Sequence, residues 1–272
     1  MNNNKILSLI ILIFMFSNLL AAQLKNIETV KISEELLLKE IKKDVFLITH
    51  YFPWAGNSLL VKITSSDFVL VDTPWENNGT RALVEWIYDI YGHVNLFVIN
   101  THFHRDNLGG NEYLLDQNIP IYGSDLTVTL LAKKRDELIN RTLNNLRNPE
   151  YEKYYESYRR TKLMPPDNIF NIEEGLVLKI RNEQIELFYP GPGHTQDNIV
   201  VYFPSKRLLF GGCMIKSLES NLGRNSDADI IVWPNSLEAL MKKYPESRVV
   251  VPGHGEYGNM DLINHTIELL NR

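Results

Sequence analysis

The sequence predicts a single α/β domain with two strand-rich halves, and three observations carry that reading. Short apolar runs bounded by turn residues recur over residues 45–74 and again over 176–213. Amphipathic helical stretches lie between and after them, at 79–92, about 126–162 and 260–272. No linker rich in Ser, Gly or Pro divides the chain beyond its first residues, and no short repeat appears. A length of 272 residues allows one large domain or two small ones. The missing linker favours one.

In chain order, VFLITHY (Val45–Tyr51) and SLLVKIT (Ser58–Thr64) read as strands joined by FPWAGN, a Pro/Gly turn tipped by Trp54. DFVLVDTP (Asp67–Pro74) follows. Residues Gly79–Gly92 form an amphipathic helix with Leu83, Trp86, Ile87 and Ile90 on one face. NLFVIN (Asn95–Asn100) is a buried strand. From about 126 to 162 the chain turns helical and polar. Leu131, Leu138 and Leu146 make one stripe; Tyr151, Tyr154, Tyr155 and Tyr158 make another, with Pro149 near its start. Such stripes usually pack against the body of a protein, and that is the expectation here. LVLKI and IELFYPG flank RNEQ as a hairpin, and NIVVYFP and RLLFGGC flank SK as a second. RVVVPGHG is the last strand and MDLINHTIELLNR a closing helix.

The opening MNNNKILSLIILIFMFSNLLAAQ has one Lys, an apolar run from Ile6 to Leu20, then Ala21-Ala22. It reads as a secretory signal peptide over residues 1–22, leaving 23–272 as the mature domain. As a membrane anchor it is short, and Ser8, Ser17 and Asn18 interrupt it. Export to the periplasm follows, without stable membrane association after cleavage. The mature chain is expected to be a monomer. Apolar residues make up 44% and charged residues 22%, with a net charge of -5, an ordinary soluble balance. Nothing in it suggests a polyanion-binding surface, so nucleic acid is not an expected partner. The single cysteine, Cys213, has no intrachain partner in an oxidising compartment, and residue statistics favour its burial.

Four apolar strands end in metal-binding residue types. LFVINTHFHRD ends in His102, His104 and Asp106; IELFYPGPGH in His194; RLLFGGC in Cys213; RVVVPGH in His254. Gly193, Gly212 and Gly253 precede the last three and let the backbone turn sharply. Imidazole, carboxylate and thiolate donors together suit zinc. Six donors exceed one tetrahedral ion but divide into two sets of three, and three ligands with an open position is the catalytic arrangement. The other histidines, His50, His93 and His265, follow no glycine at a strand end and are assigned to the surface or to helix packing.

THFHRD, GPGH, FGGC and VPGHG, in that order, resemble the metallo-β-lactamase superfamily, and within it the class B β-lactamases with a three-His site and an Asp-Cys-His site. VDTPW and CMIK extend the resemblance over essentially the whole mature chain. It implies a four-layer αβ/βα sandwich with metals at one edge. It implies two zinc ions per chain, one on His102, His104 and His194, the other on Asp106, Cys213 and His254. It implies hydrolysis of β-lactam antibiotics, carbapenems included, through a zinc-activated hydroxide oriented by Asp106. Thioesterase-like and nuclease-like members usually carry a second His after the motif aspartate; here that residue is Asn107, and Cys213 supplies the donor. Lys216, three residues after Cys213, matches the lysine that pairs with the substrate carboxylate.

Past Lys216 the match weakens. In ESNLGRNSDAD, anchoring on Asp227-Ala228 puts Arg224 where relatives carry the asparagine that holds the lactam carbonyl, with Asn225 one residue later and Asn221 earlier. Arg224, Asn225 and Asn221 are therefore open candidates for that contact. YFPWAGN is shorter than the mobile hairpin of many relatives, and the helical insert at about 126–162 is longer. Trp54, Trp75 and the insert are expected to shape substrate selection. The alternative activity is that of an exported zinc hydrolase acting on a lactone or thioester. A third reading is metal binding without catalysis.

Overall fold

The computed structural model describes residues 29–272; the expected signal peptide lies outside them. Among the described residues two sheets form. The first holds, in spatial and chain order, β1 (Thr29–Lys31), β2 (Leu36–Lys42), β3 (Val45–Tyr51), β4 (Ala55–Lys62), β5 (Asp67–Val71), β6 (Asn95–Ile99), β7 (Ile121–Ser124) and β8 (Asn168–Phe170). Its pairing is antiparallel as far as β5 and parallel from β5 to β8. The second holds β9 (Leu176–Ile180), β10 (Glu183–Phe188), β11 (Val200–Phe203), β12 (Leu208–Gly212) and β13 (Val249–Pro252), antiparallel except for β12 and β13.

Helices complete the layers: α1 (Asn77–Tyr91), α2 (Arg105–Leu108), α3 (Asn111–Asp116), α4 (Asp125–Asn145), α5 (Glu152–Arg160), α6 (Trp233–Lys243) and α7 (Asp261–Leu270). Alternation along each strand explains why the apolar runs are nearly continuous. Successive side chains point to opposite faces, and both faces are covered. Val69 and Val71 enter a core shared with Val201, Phe203 and Phe210 of the second sheet, while Phe68 and Leu70 pack with Leu83 and Ile87 of α1. On the far side, Val200, Tyr202 and Leu209 meet Trp233, Leu237 and Leu240 of α6 and Ile263 of α7. The result is helix, sheet, sheet, helix: the expected αβ/βα sandwich.

Two details depart from the sequence reading. The buried face of α1 runs through Thr80, Leu83, Val84 and Ile87, and Ile90 is 58% exposed. Ile90 follows buried Leu83 by about two turns on the same side of the helix, but it lies in the last turn, one residue before α1 ends at Tyr91. Neither β2 nor α6 is evident from local pattern. Lys39, Glu40 and Lys42 break the apolar run of β2, and α6 begins without a side-chain N-cap.

The insert is seated as expected of its stripes. Leu131 and Leu138 are buried with Phe103, Leu108 and Leu163. Leu146, Tyr154 and Tyr158 close over Phe52, with Trp54, Trp75, Tyr151 and Tyr155 half-buried around them. The Tyr158 hydroxyl donates to the Phe52 carbonyl. The short turn before β4 is thereby held under α5.

Candidate metal centre

The six donors converge at one edge of the sandwich, where β6, β10, β12 and β13 give way to loops. Rigid strands fix the loop origins, so side chains far apart in sequence meet. Asp106 Oδ2, Cys213 Sγ and His254 Nε2 lie 3.1–3.3 Å from one another. Two further groups have donor atoms mutually within 4.8 Å: His102 with His104 and Asp106, and His102 with His194 and Cys213. The imidazoles of His102, His104 and His194 stand 4.9, 5.1 and 5.5 Å apart between ring centroids, at interplanar angles of 67–89°. All six side chains thus form one continuous cluster, in which Asp106, Cys213 and His254 make one of the close groups.

Backbone geometry makes room for this. Gly212 has φ +53, a left-handed conformation that L side chains rarely adopt. At Gly253 a Cβ would sit 2.7 Å from the Cys213 nitrogen and sulfur, so only glycine lets the His254 loop come this close. Asn57 of β4 braces the same loop, donating from Nδ2 to the carbonyls of Pro252 at 3.0 Å and Gly255 at 2.8 Å. Asp72, fully buried with φ +57, accepts from the Thr101 amide at 2.8 Å and the Thr101 hydroxyl at 2.7 Å. It holds the chain immediately before His102.

Hydrogen bonds choose the free nitrogen of two rings. A carbonyl can only accept, so His254 Nδ1 donates to Ala55 O at 2.6 Å, leaving the Nε2 lone pair toward Asp106 and Cys213. His104 donates from Nε2 to Asp227 Oδ2 at 3.1 Å, which leaves Nδ1 with the free lone pair. This is the outer support that metal-binding imidazoles require.

Electrostatics agree with a cation site. Burial holds His102 and His194 well below the usual imidazole range, so both are neutral donors. Burial pushes Asp106 upward, but the surrounding imidazoles, His254 first and then His102 and His104, outweigh that and hold it well below the usual carboxylate range. Burial, and the charge of Asp106, push the Cys213 thiol far up. A buried thiol beside a carboxylate loses its proton readily only when a cation arrives, and metal coordination deprotonates it outright. The donor set therefore fits zinc.

A cavity of about 620 Å³ opens over the donors, lined by Trp54, Trp75, Leu138, Arg141, Lys216, Asn221 and Arg224 among others. Lys216 is 8% exposed, which excludes an ordinary surface lysine; burial lowers its pKa. Asn221 Oδ1 accepts from the Gly223 amide at 2.8 Å, which leaves the Asn221 amide group to donate. Arg224 lies on the same wall, its pKa lowered by burial and by Arg141. Asn225 is exposed and is not among the lining residues. Of the other histidines, His93 is exposed, His265 is half-buried in α7, and His50 packs under the first turn of α1 at Gly79. Arg105, Asn57, Asp72 and Asp227 were not among the site residues expected from sequence. The guanidinium of Arg105 lies buried, 4.7 Å over the Tyr158 ring.

Residues 51–254 match the family model described as the metallo-beta-lactamase superfamily. The chain is 34% identical to a metallo-beta-lactamase type 2 of Pseudomonas aeruginosa over 243 residues, 86% of this chain and 84% of that protein. It is also 34% identical to one from Bacillus cereus, covering 86% of this chain and 82% of that one. Among solved structures, a metallo-beta-lactamase from Pontibacter korlensis aligns with a TM-score of 0.72 at 33% identity, covering 88% of this chain and all 100% of that one. Fold, donor cluster and sequence likeness agree: the chain belongs to the metallo-β-lactamase superfamily.

Proposed function

We propose that this chain is a zinc-dependent β-lactamase that opens the cyclic amide of β-lactam antibiotics and so confers resistance to them. The observation that carries the reading is the contact of Asp106, Cys213 and His254 beside three convergent imidazoles, under a cavity of drug-like size. His102, His104 and His194 would hold one zinc, and Asp106, Cys213 and His254 a second. Bound zinc supplies Lewis acidity, polarising the lactam carbonyl and lowering the pKa of water to about 7.

The chain's own residues do the rest. Asp106 holds the attacking water by its carboxylate and sets its line of approach. Lys216 pairs with the carboxylate of the substrate; an ammonium is a compact point charge suited to that task. The Asn221 amide or the Arg224 guanidinium donates to the lactam carbonyl from the loop above. Trp54 and Trp75 give an apolar wall that limits water around the reacting bond. No serine need attack, because the nucleophile is water. Penicillins, cephalosporins and carbapenems all offer the required amide and carboxylate.

Export to the periplasm, a monomeric state and an unanchored mature chain complete this reading. Among the described residues no helix is long and apolar enough to cross a membrane. The direct test is hydrolysis of nitrocefin, a chromogenic cephalosporin, by the purified chain with zinc and again after dialysis against a chelator. Turnover that is lost with the metal and restored by Zn²⁺ is expected. Unchanged turnover in the metal-free protein would defeat the zinc reading.

A further inference from the structure

We propose that the helical insert is part of the metal centre: Lys134 and Arg141 of α4 hold Asp227 as the carboxylate that fixes His104 for metal binding. The proposal rests on the zinc reading above and concerns residues that bind no metal themselves.

The side chain of Asp227 is 4% exposed and accepts from three groups. Its Oδ1 takes Lys134 Nζ at 2.5 Å. Its Oδ2 takes both Arg141 Nη1 at 3.0 Å and His104 Nε2 at 3.1 Å. Lys134 and Arg141 are seven residues apart, about two helical turns, so one face of α4 presents both cations. Arg141 also reaches Ser226 Oγ at 3.3 Å.

The physical logic runs through His104. Its Nδ1 can serve a metal only if the proton stays on Nε2, and the Asp227 carboxylate keeps it there. A buried carboxylate facing one neutral imidazole is costly. With no cation beside it, Asp227 would be drawn out toward solvent and the imidazole would lose both its tautomer and its orientation. The two cations of α4 offset that cost and pin the carboxylate, Lys134 at Oδ1 and Arg141 at Oδ2. Arg141 also lines the cavity, so one residue of the insert touches the substrate space and, through Asp227, the metal ligand.

Lys134 and Arg141 are thus positioning residues, and metal affinity separates this role from simple tethering of α4. Zinc binding to the mature chain is measured in competition with a chromophoric chelator, beside thermal unfolding of the metal-free protein. Lys134→Met/Arg141→Met is expected to weaken the tightest zinc about 10- to 100-fold, the range for loss of outer support. Arg141→Lys, which keeps the charge, should recover most of that loss. In an Asp227→Asn background, Arg141→Met should cost little more, because the two residues act along one path; this cycle carries the test if the double methionine variant does not fold. Parental zinc affinity in the methionine variants, with only the metal-free stability changed, would overturn the proposal and leave the zinc reading intact. So would losses that merely add in the Asp227→Asn cycle. A parental chain that takes up no zinc would overturn the zinc reading itself, and the proposal with it.

Discussion

His254 donates through Nδ1 to the carbonyl of Ala55, 2.6 Å away, across 199 residues of sequence. Ala55 opens β4, the strand that also carries Asn57, so one strand of the first sheet orients a donor from the second. The two halves of the sandwich are joined at the candidate metal centre itself. Loss of any one donor is therefore expected to show in metal binding before it shows in folding.

Cys213→Ser tests this most simply. Serine is nearly isosteric but far less acidic, so it replaces a thiolate poorly. The variant should fold, keep its circular dichroism, and fall from two bound zincs toward one by metal analysis. Two tightly held zincs in the variant would return Cys213 to the class of inert buried thiols.

Lys216→Ala should raise KM for carboxylate-bearing β-lactams more than it lowers kcat, the pattern of lost uniform binding. Lys216→Arg should be milder without being neutral, because guanidinium is wider and planar. Zinc content should stay at the parental level in both. An unchanged KM across several such substrates would move the anchor to another cation on the wall, Arg224 first.

Asn221→Ala and Arg224→Ala compare the two candidates for the carbonyl contact. Removal of the true donor should lower kcat roughly 100- to 1,000-fold, in the range of an oxyanion-hole deletion. Equal, small effects of both substitutions would exclude a single side-chain donor on this loop. Asn225→Ala is expected to be silent, since Asn225 is exposed and does not line the cavity.

His50 predicts an acid response. Burial pushes its pKa down to about 3, and its Nδ1 accepts from the Trp75 amide at 3.0 Å. The unfolded chain binds that proton near pH 6.5, so between about 6.5 and 3 the unfolded state holds more protons than the native state. Stability from this group is complete above about pH 6.5 and falls with pH across that window, by at most about 1.4 kcal/mol per unit. Buried, neutral His102 and His194 act with the same sign in the metal-free protein. Denaturant titrations of His50→Gln should show a shallower loss of stability over that window than the parent. An identical slope would remove His50 from the account.

Tyr158→Phe should lower stability by about 1–3 kcal/mol, because the buried Phe52 carbonyl loses its donor. The ring that carries Arg105 remains. Thermal unfolding measures the loss, and zinc stoichiometry should not move. A fall in zinc content would tie the seat of the insert to the metal more tightly than its contacts require.

The six candidate donors stand out in sequence because each is encoded locally. An apolar strand, a glycine and a ligand repeat at His194, Cys213 and His254, and His102, His104 and Asp106 share one loop. The strands were legible too, since burial on both faces leaves near-continuous apolar runs. What supports the donors left no such mark. His104 meets Asp227 across 123 residues, Asn57 meets Gly255 across 198, and Asp72 meets Thr101 across 29. A carboxylate or amide in a loop looks the same in sequence whether it faces water or a buried imidazole. Only the packing of one sheet on the other brings these partners into hydrogen-bond range. Only that packing also separates Asn221 and Arg224, on the cavity wall, from Asn225, which sits one residue further along the same polar loop.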